Sequence, residues 1–419
     1  MRLIIRLIFG ILTVAGLAST AQAGPTLFGY WDTFGSPGDF TATLAPYANL
    51  SFISLGSDTA DVPGAINEAA SHGMKSIIQV QQIFFPNGGT LVPNPAGVWS
   101  SLAQGISSQV AANEVAAFYL YDEPTNKVSQ QNLTIEANTI RATFPNVPLM
   151  IIYAQPGGFV GLGIADWVGI DCYSNGQWSC GTNLSYSQAY WDLRQQLTSN
   201  QRMVIVPQAG YPTNAGCCNA AIILELQKQI ALAIGDPDVV AFIPFIWPST
   251  GSYAGLSAYN TGAGSLASTF LSISADYKNG YVFPYATYTP EFEFWNQSNN
   301  HFVTSSVIEG LQNGFEFYGI AWNTYATQIS GTVPLYRCHT ASGNHHFASM
   351  SSTCEGSGAT NEGIYGYIST YARTGTSPLI RYYNDATADY EDLISPTAPA
   401  GFRTVGTLGW VPSSIVPVP

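Results

Sequence analysis

The chain is poor in charge. Only 9% of its 419 residues are charged, and 13 Lys and Arg stand against 26 Asp and Glu, for a formal net charge of −13. Thirteen cations in a net-negative chain build no phosphate-tracking surface, which excludes nucleic acid as a partner and disfavours anionic membranes. Histidine is scarcer still. There are five, and residues 24–280 hold only His72. A Ser–His or Cys–His nucleophile needs a histidine at its site, and His72 falls on a segment of helical character, so that chemistry is disfavoured. No C-x-x-C pair occurs among the six cysteines. His301 and His346 fall in separate segments, so neither a zinc site nor any other metal site is expected. Past residue 23 no stretch of about 20 uninterrupted apolar residues remains, so no later segment is expected to span a membrane.

What is present is apolar and aromatic matter, 46% and 13% of the chain, with 41 Gly, 25 Pro and 24 Tyr. That balance suits a large packed core, and the length suits two domains. Residues 1–23 carry Arg2 and Arg6, an apolar run and a small-residue Ala21-Gln22-Ala23 end, the pattern of a secretory signal peptide. A secreted, extracellular protein is therefore expected, and export permits disulfides. Cys172, Cys180, Cys217 and Cys218 lie in the first part, and Cys338 and Cys354 in the last. The last two are expected to pair. The first four leave three connectivities open, including a vicinal Cys217–Cys218 bridge.

Between residues 26 and 250 there are eight apolar, β-branched or aromatic runs: Leu27–Trp31, Leu50–Leu55, Ser76–Val80, Ala116–Tyr121, Leu149–Tyr153, Trp167–Asp171, Met203–Pro207 and Val239–Ile246. Most are too continuous for half-exposed strands, which suits a parallel sheet covered on both faces. Segments of helical character separate them, among them Val62–His72, Gly97–Ala112, Lys127–Thr143, Ser185–Ser199 and Cys218–Ile234. This alternation predicts a (β/α)8 barrel over residues 24–280. The rival, an open doubly wound sheet, would carry a Gly-rich phosphate loop where this chain reads Tyr30-Trp31-Asp32-Thr33-Phe34-Gly35.

Function in such a barrel sits where the strands end. The ends supply Tyr30, Trp31 and Asp32 (strand 1), Gln79, Gln81 and Gln82 (strand 3), Asp122 and Glu123 (strand 4), Tyr153 and Gln155 (strand 5), Asp171 and Tyr173 (strand 6), Gln208 and Tyr211 (strand 7) and Trp247 (strand 8). Trp178 follows in the strand 6 loop. This predicted rim of aromatics, amides and carboxylates contains no Lys, Arg or His. Aromatic faces stack on pyranose rings, and amides and acids bond hydroxyls. Phosphate or carboxylate substrates would instead call for Arg or Lys. Of the five glutamates in residues 24–280, Glu68, Glu136 and Glu225 fall on predicted helices, where a solvated role is ordinary. Glu114 precedes strand 4. Glu123 alone ends a strand, so it is the expected proton donor for glycoside cleavage, which needs an acid and a second carboxylate. The alternative role for Asp122-Glu123-Pro124 is to cap the following helix. Asp171 is the first choice for the second carboxylate, then Asp32, then Asp122. No cofactor is implied, and a monomer acting on a polysaccharide or cell-wall glycan is expected.

The strand order, the segment Phe118-Tyr-Leu-Tyr-Asp-Glu-Pro124, the strand 6 ending Asp166-Trp-Val-Gly-Ile-Asp171-Cys-Tyr173 and Trp247 look like secreted TIM-barrel glycoside hydrolases. In the large clan of retaining barrel glycosidases, the acid/base Glu ends strand 4 and the nucleophile Glu ends strand 7. Glu123 matches the first position. The chain departs from the pattern twice: Asp122 stands where that clan has Asn, and strand 7 reads Val206-Pro207-Gln208 with no acid. The missing acid keeps a second class open, a non-catalytic glycan-binding or cell-surface protein with a degenerate barrel.

Beyond about Asn279 the helical pattern stops, and residues 281–419 repeat with a period of about 42 to 44. Phe292-Glu-Phe-Trp-Asn296 recurs as Leu335-Tyr-Arg-Cys-His339 and Leu379-Ile-Arg-Tyr-Tyr-Asn384. Asn300-His-Phe-Val-Thr304 recurs as His345-His-Phe-Ala-Ser349 and, decayed, as Ala388-Asp-Tyr-Glu-Asp392. This places His301, His346 and Asp389 in equivalent slots. Three all-β units sharing one core, of β-trefoil size, are expected. They resemble the "LYRYYN…GDHFYTT…GIAGY" repeat that accompanies secreted hydrolases and lectin-like proteins, which implies a carbohydrate-binding accessory module. Tyr277–Pro290 is the expected rigid connector.

Overall fold

The computed structural model describes residues 25–35, 38–54, 59–154, 157–173, 180, 184–212, 219–258, 266–279, 287–296, 301–340 and 345–413. Eight strands form a closed parallel barrel: β1 (Leu27–Gly35), β2 (Leu50–Ser54), β3 (Lys75–Gln79), β4 (Val115–Asp122), β5 (Leu149–Tyr153), β6 (Trp167–Ile170), β7 (Arg202–Ile205) and β8 (Val239–Phe242). Closure is made by Leu27 opposite Ala241 and Phe28 opposite Phe242. Each expected run yields one strand.

Side chains alternate along each strand, so the barrel has two apolar layers. Trp31, Phe52, Ile77, Tyr119, Ile152, Val204 and Ile243 fill the interior. Phe28, Tyr30, Ile78, Phe118, Ile151, Tyr153 and Ile205 point outward and are covered by helices. Those helices are Val62–Ser71, Pro95–Ala111, Gln130–Thr143, Tyr186–Arg194, Asn219–Gly235 and Leu266–Lys278. The expected eightfold helix pattern is incomplete. Among the described residues, the β1–β2 connection carries only Thr41–Leu44, and β5–β6 only the single 3-10 turn Leu162–Ile164. Local chemistry sets the helix starts. Asn94 and Ser129 accept from backbone N–H groups three residues on, and Ser185 with Gln188 forms a full capping box.

Nine antiparallel strands follow as three similar units. The first is β9 (Tyr288–Trp295), β10 (His301–Thr304) and β11 (Glu316–Tyr325). The second is β12 (Thr332–His339), β13 (His346–Ser349) and β14 (Thr360–Ser369). The third is β15 (Thr376–Asn384), β16 (Asp389–Leu393) and β17 (Arg403–Pro412). In every unit the first strand pairs with both others, and its pairing with the third slips at two bulges: after Glu291 and Glu293, Leu335 and Arg337, Leu379 and Arg381. Contrary to the sequence expectation, a helix occurs here: Ser306 caps Val307–Gln312 in the first unit.

The register also corrects one equivalence. His301 lies opposite Trp295, His346 opposite His339, and Tyr390 opposite Tyr383, so the third-unit counterpart of the two histidines is Tyr390. Asp389 instead receives His301 Nδ1 at 3.5 Å and His345 Nδ1 at 2.9 Å from the other two units. Buried cations also knit units together. Arg337 reaches Glu309 with two contacts of 2.9 Å, and Arg381 reaches Glu355 at 2.7 Å and Asp392 at 3.1 Å.

The first unit docks on the barrel. Phe292, Phe294, Phe302 and Phe317 share one apolar cluster with Tyr186, Ile230 and Ile234. Phe317 N–H donates to Ser187 Oγ at 3.3 Å, and Lys228 Nζ lies 4.7 Å above the Tyr318 ring. The expected Cys338–Cys354 disulfide is present, and Cys172 pairs with Cys180. Cys217 and Cys218 lie outside the described residues. No helix among those described is long and apolar enough to cross a membrane.

Candidate active site

The four expected carboxylates come from β1, β4 and the residue after β6, and they meet at the C-terminal mouth of the barrel. Asp32, Asp122 and Asp171 each feel the charge of another of the four. Asp171 follows β6, where its N–H donates to Tyr153 O at 3.0 Å. Its Oδ1 is buried and has no hydrogen-bond partner among the described residues. Burial, reinforced by the negative charges of Asp122 and Glu123, pushes this carboxyl well above the usual range.

Asp122 ends β4. Its N–H donates to Gln81 Oε1 at 2.9 Å, and its Oδ1 accepts from the buried Tyr119 hydroxyl at 2.6 Å. Burial raises this carboxyl, the Tyr119 bond opposes the rise, and the charge of Glu123 adds to it. Asp32 accepts from Ser54 Oγ, and burial pushes it up to about 6, against that bond and with help from Asp122.

Strict alternation would send Asp122 and Glu123 to opposite faces. The backbone prevents it: Glu123 has φ 51°, in the left-handed region. Asp32 has φ 56°. Glu123 is anchored by its N–H to Ile152 O at 3.0 Å, while Oε2 meets Lys127 Nζ at 2.6 Å. The Glu123 side chain is 35% exposed. Helix capping falls to Ser129 rather than to Asp122 or Glu123.

Several expectations are corrected. The site is not free of cations, because Lys127 sits in the β4 loop on Glu123. Tyr30 and Tyr153 are fully buried in the outer layer. Their hydroxyls bond Ser274 Oγ at 2.8 Å and Val160 O at 3.1 Å, so neither ring faces a ligand. Trp247 packs in that same layer, 5.4 Å from Tyr30. Trp31 is 6% exposed and lies stacked on Phe52 at 4.2 Å, plugging the barrel beneath the mouth. Tyr173 is buried beside Asp171, whose charge raises the tyrosine's pKa further after burial. Gln208 is buried, with Nε2 donating to Gly210 O at 3.1 Å. The Tyr211 backbone pairs with Ala254. Its side chain, Gln155 and Trp178 lie outside the described residues. Glu136 is fully buried, not solvated, and neither of its oxygens is bonded among the described residues.

Sequence reasoning reached Gln81 at the end of strand 3 but missed Tyr119, Ser54 and Lys127. Tyr119 had a signal, since it stands two residues from Ala117 on the inward phase of β4. The other two come from a neighbouring strand and turn and had none. A hollow at the opposite end of the barrel is lined by strand starts, including Lys75, Val115 and Val240, and holds no acid.

Known proteins resemble the chain in part. A family model described as "Domain of unknown function (DUF5648)" matches residues 293–391. No curated protein matches the chain in sequence. Among solved structures, an endo-1,4-β-mannanase from Rhizomucor miehei is 14% identical with a TM-score of 0.39, covering 63% of this chain and 97% of that one. A GH18 chitinase from Pseudoalteromonas aurantia is 15% identical with a TM-score of 0.35, covering 53% and 93%. A GH53 catalytic domain from Ignisphaera aggregans is 11% identical with a TM-score of 0.39, covering 58% and 89%. Scores this low carry no argument about chemistry, and the barrel assignment stands on its own strand order.

Proposed function

We propose that the chain is a secreted glycoside hydrolase acting on a neutral polysaccharide, its repeat domain serving as a carbohydrate-binding accessory. The observation that carries the reading is the meeting of Asp32, Asp122, Glu123 and Asp171 at the mouth of a closed barrel, with burial favouring the protonated form of three of them. Glycoside cleavage asks for a proton on one carboxyl and a negative charge on another. The pairing favours a reversal of the expected roles. Asp171, buried and unbonded at Oδ1 among the described residues, donates its proton to the leaving oxygen as the C–O bond breaks. Glu123, ion-paired with Lys127, supplies the negative charge that attacks the anomeric carbon or activates water. Burial and the negative charge of Glu123 keep the Asp171 proton in place, while Tyr119 holds Asp122. Secretion is supported by the leader-like residues 1–23 and by the two disulfides.

The test is reducing-sugar release from glucans, chitin, galactans and mannans by the mature chain, Glu123→Gln and Asp171→Asn. Both variants should lose release by about 100-fold or more. An aryl glycoside with a good leaving group needs no acid, so it should restore turnover to Asp171→Asn alone. Equal turnover by parent and Glu123→Gln would sink the assignment. The Glu123–Lys127 ion pair and the acid-free β7 end favour one other reading, a barrel that holds glycan without cutting it. It predicts retention on an insoluble glycan with no release.

A further inference from the structure

The second repeat differs from its neighbours at one place. In each unit the last part of the first strand faces the start of the short strand, and a bulge on the third strand adds one residue to the same corner. In the first unit these residues are Trp295, His301 and Tyr318, and the two facing rings stack at 4.9 Å. In the third they are Tyr383, Tyr390 and Val405, with rings 4.7 Å apart. Ring packing satisfies the corner in both. In the second unit the corner holds His339, His346 and Glu362.

The fold explains why these three converge. His339 and His346 are direct cross-strand partners, which puts both rings on one face, 4.5 Å apart and 15° from parallel. Glu362 is the bulged residue between Asn361, paired with Cys338, and Gly363, paired with Arg337. A bulge re-aims the side chain it carries, and Gly363 permits this one with φ 126°. The Glu362 carboxylate then straddles both imidazoles, with Oε2 3.3 Å from His346 Nε2 and Oε1 3.8 Å from His339 Nδ1. One ligand atom from each residue lies within 4.8 Å of the others.

We propose that His339, His346 and Glu362 form a binding site for a divalent transition-metal ion of the zinc class. Two imidazole nitrogens and one carboxylate oxygen suit such ions. Metal–nitrogen bonds of about 2.1 Å place tetrahedral donors about 3.3 Å apart, so the three atoms need to close by up to about 1.5 Å. The exposed Glu362 can swing to do so.

An arriving ion competes with one guanidinium for two of these ligand atoms. Arg337 lies close, with Nε 2.8 Å from Glu362 Oε2 and Nη2 3.4 Å from His346 Nε2. Its guanidinium is also held by Glu309 through two contacts of 2.9 Å. Two carboxylates against one guanidinium leave a net negative corner to receive a dication. No such expectation arises from sequence alone, because His301 and His346 fall in different repeats. The strand register supplies the partner within one repeat, His339.

The experiment uses untagged mature chain freed of metal with EDTA and titrated with ZnCl2 by calorimetry. Cobalt(II) absorption serves as a second probe of coordination. One zinc per chain is expected. His346→Tyr, the residue found at that register in the third unit, should lower affinity about 100-fold or more. Glu362→Gln, an exposed change that leaves the fold intact, should lower it about 10-fold. Both should quench the cobalt bands, while His301→Gln leaves them unchanged. No saturable zinc binding by the parent chain, or unaltered binding in both site variants, would overturn the proposal.

Discussion

Glu136→Met offers the sharpest test of how this core is built. Glu136 lies on the buried stripe of its helix with Leu133, Ala137 and Ile140, fully enclosed and unbonded among the described residues. Burial alone holds its carboxyl well above the ordinary 4.5. Folded chains therefore keep a proton that unfolded chains release above pH 4.5. The sign follows directly. Whatever stability the protonated group contributes is complete below pH 4.5 and is lost as pH rises toward the folded-state pKa, by about 1.4 kcal/mol per pH unit. Methionine has similar bulk and does not titrate. Below pH 4.5 the variant gains the cost of an unsatisfied buried polar group, about 1–3 kcal/mol. At pH 7 the gain is larger by as much as about 3 kcal/mol. Urea unfolding of parent and variant at a series of pH values between 4.5 and 8 reads the difference. A gain that stays flat across that range would refute the reasoning, because it would mean that Glu136 titrates alike in folded and unfolded chains.

Other outcomes follow from the repeats and the barrel plug. Arg381→Met leaves Asp392, 3% exposed, without its cation and should cost about 3–5 kcal/mol in denaturant unfolding. Arg403→Met, at the solvated Asp385 pair, should leave the midpoint where it is. Replacing Cys338 and Cys354 by serine opens a loop of 16 residues and should cost about 3 kcal/mol, measured the same way. Trp31→Ala empties the interior above Phe52 and should cost about 3–5 kcal/mol in the same assay.

The barrel was legible because buried parallel strands announce themselves as apolar runs, and the eight runs are the eight strands. The phase of those runs was not. A run such as Leu149–Tyr153 is apolar on both faces, so nothing in it says that Tyr153 points to the helices while Ile152 points inward. That is why Tyr30 and Tyr153 read as rim residues. The acids at strand ends were legible because carboxylates are scarce in this chain. Their state was not, since it depends on Tyr119, Ser54 and Lys127, which arrive through register and turn geometry. Glu136 was open to inspection: positions 133, 136, 137 and 140 have the spacing of a buried stripe, but residue type was weighed above position. In the repeats, sequence alignment slid by one at Asp389 because a short, decayed strand carries too few landmarks to fix its register.

Asp32 and Glu123 both hold left-handed backbone, one at the register shift inside β1 and the other just past β4. Residues with a Cβ are strained there by about 1–2 kcal/mol, and glycine is not. A chain shaped by stability alone would drift toward glycine at these two positions, and this one keeps carboxylates. Glycine at 32 and 123 should therefore leave the barrel unaltered and give a molecule harder to melt than the parent chain.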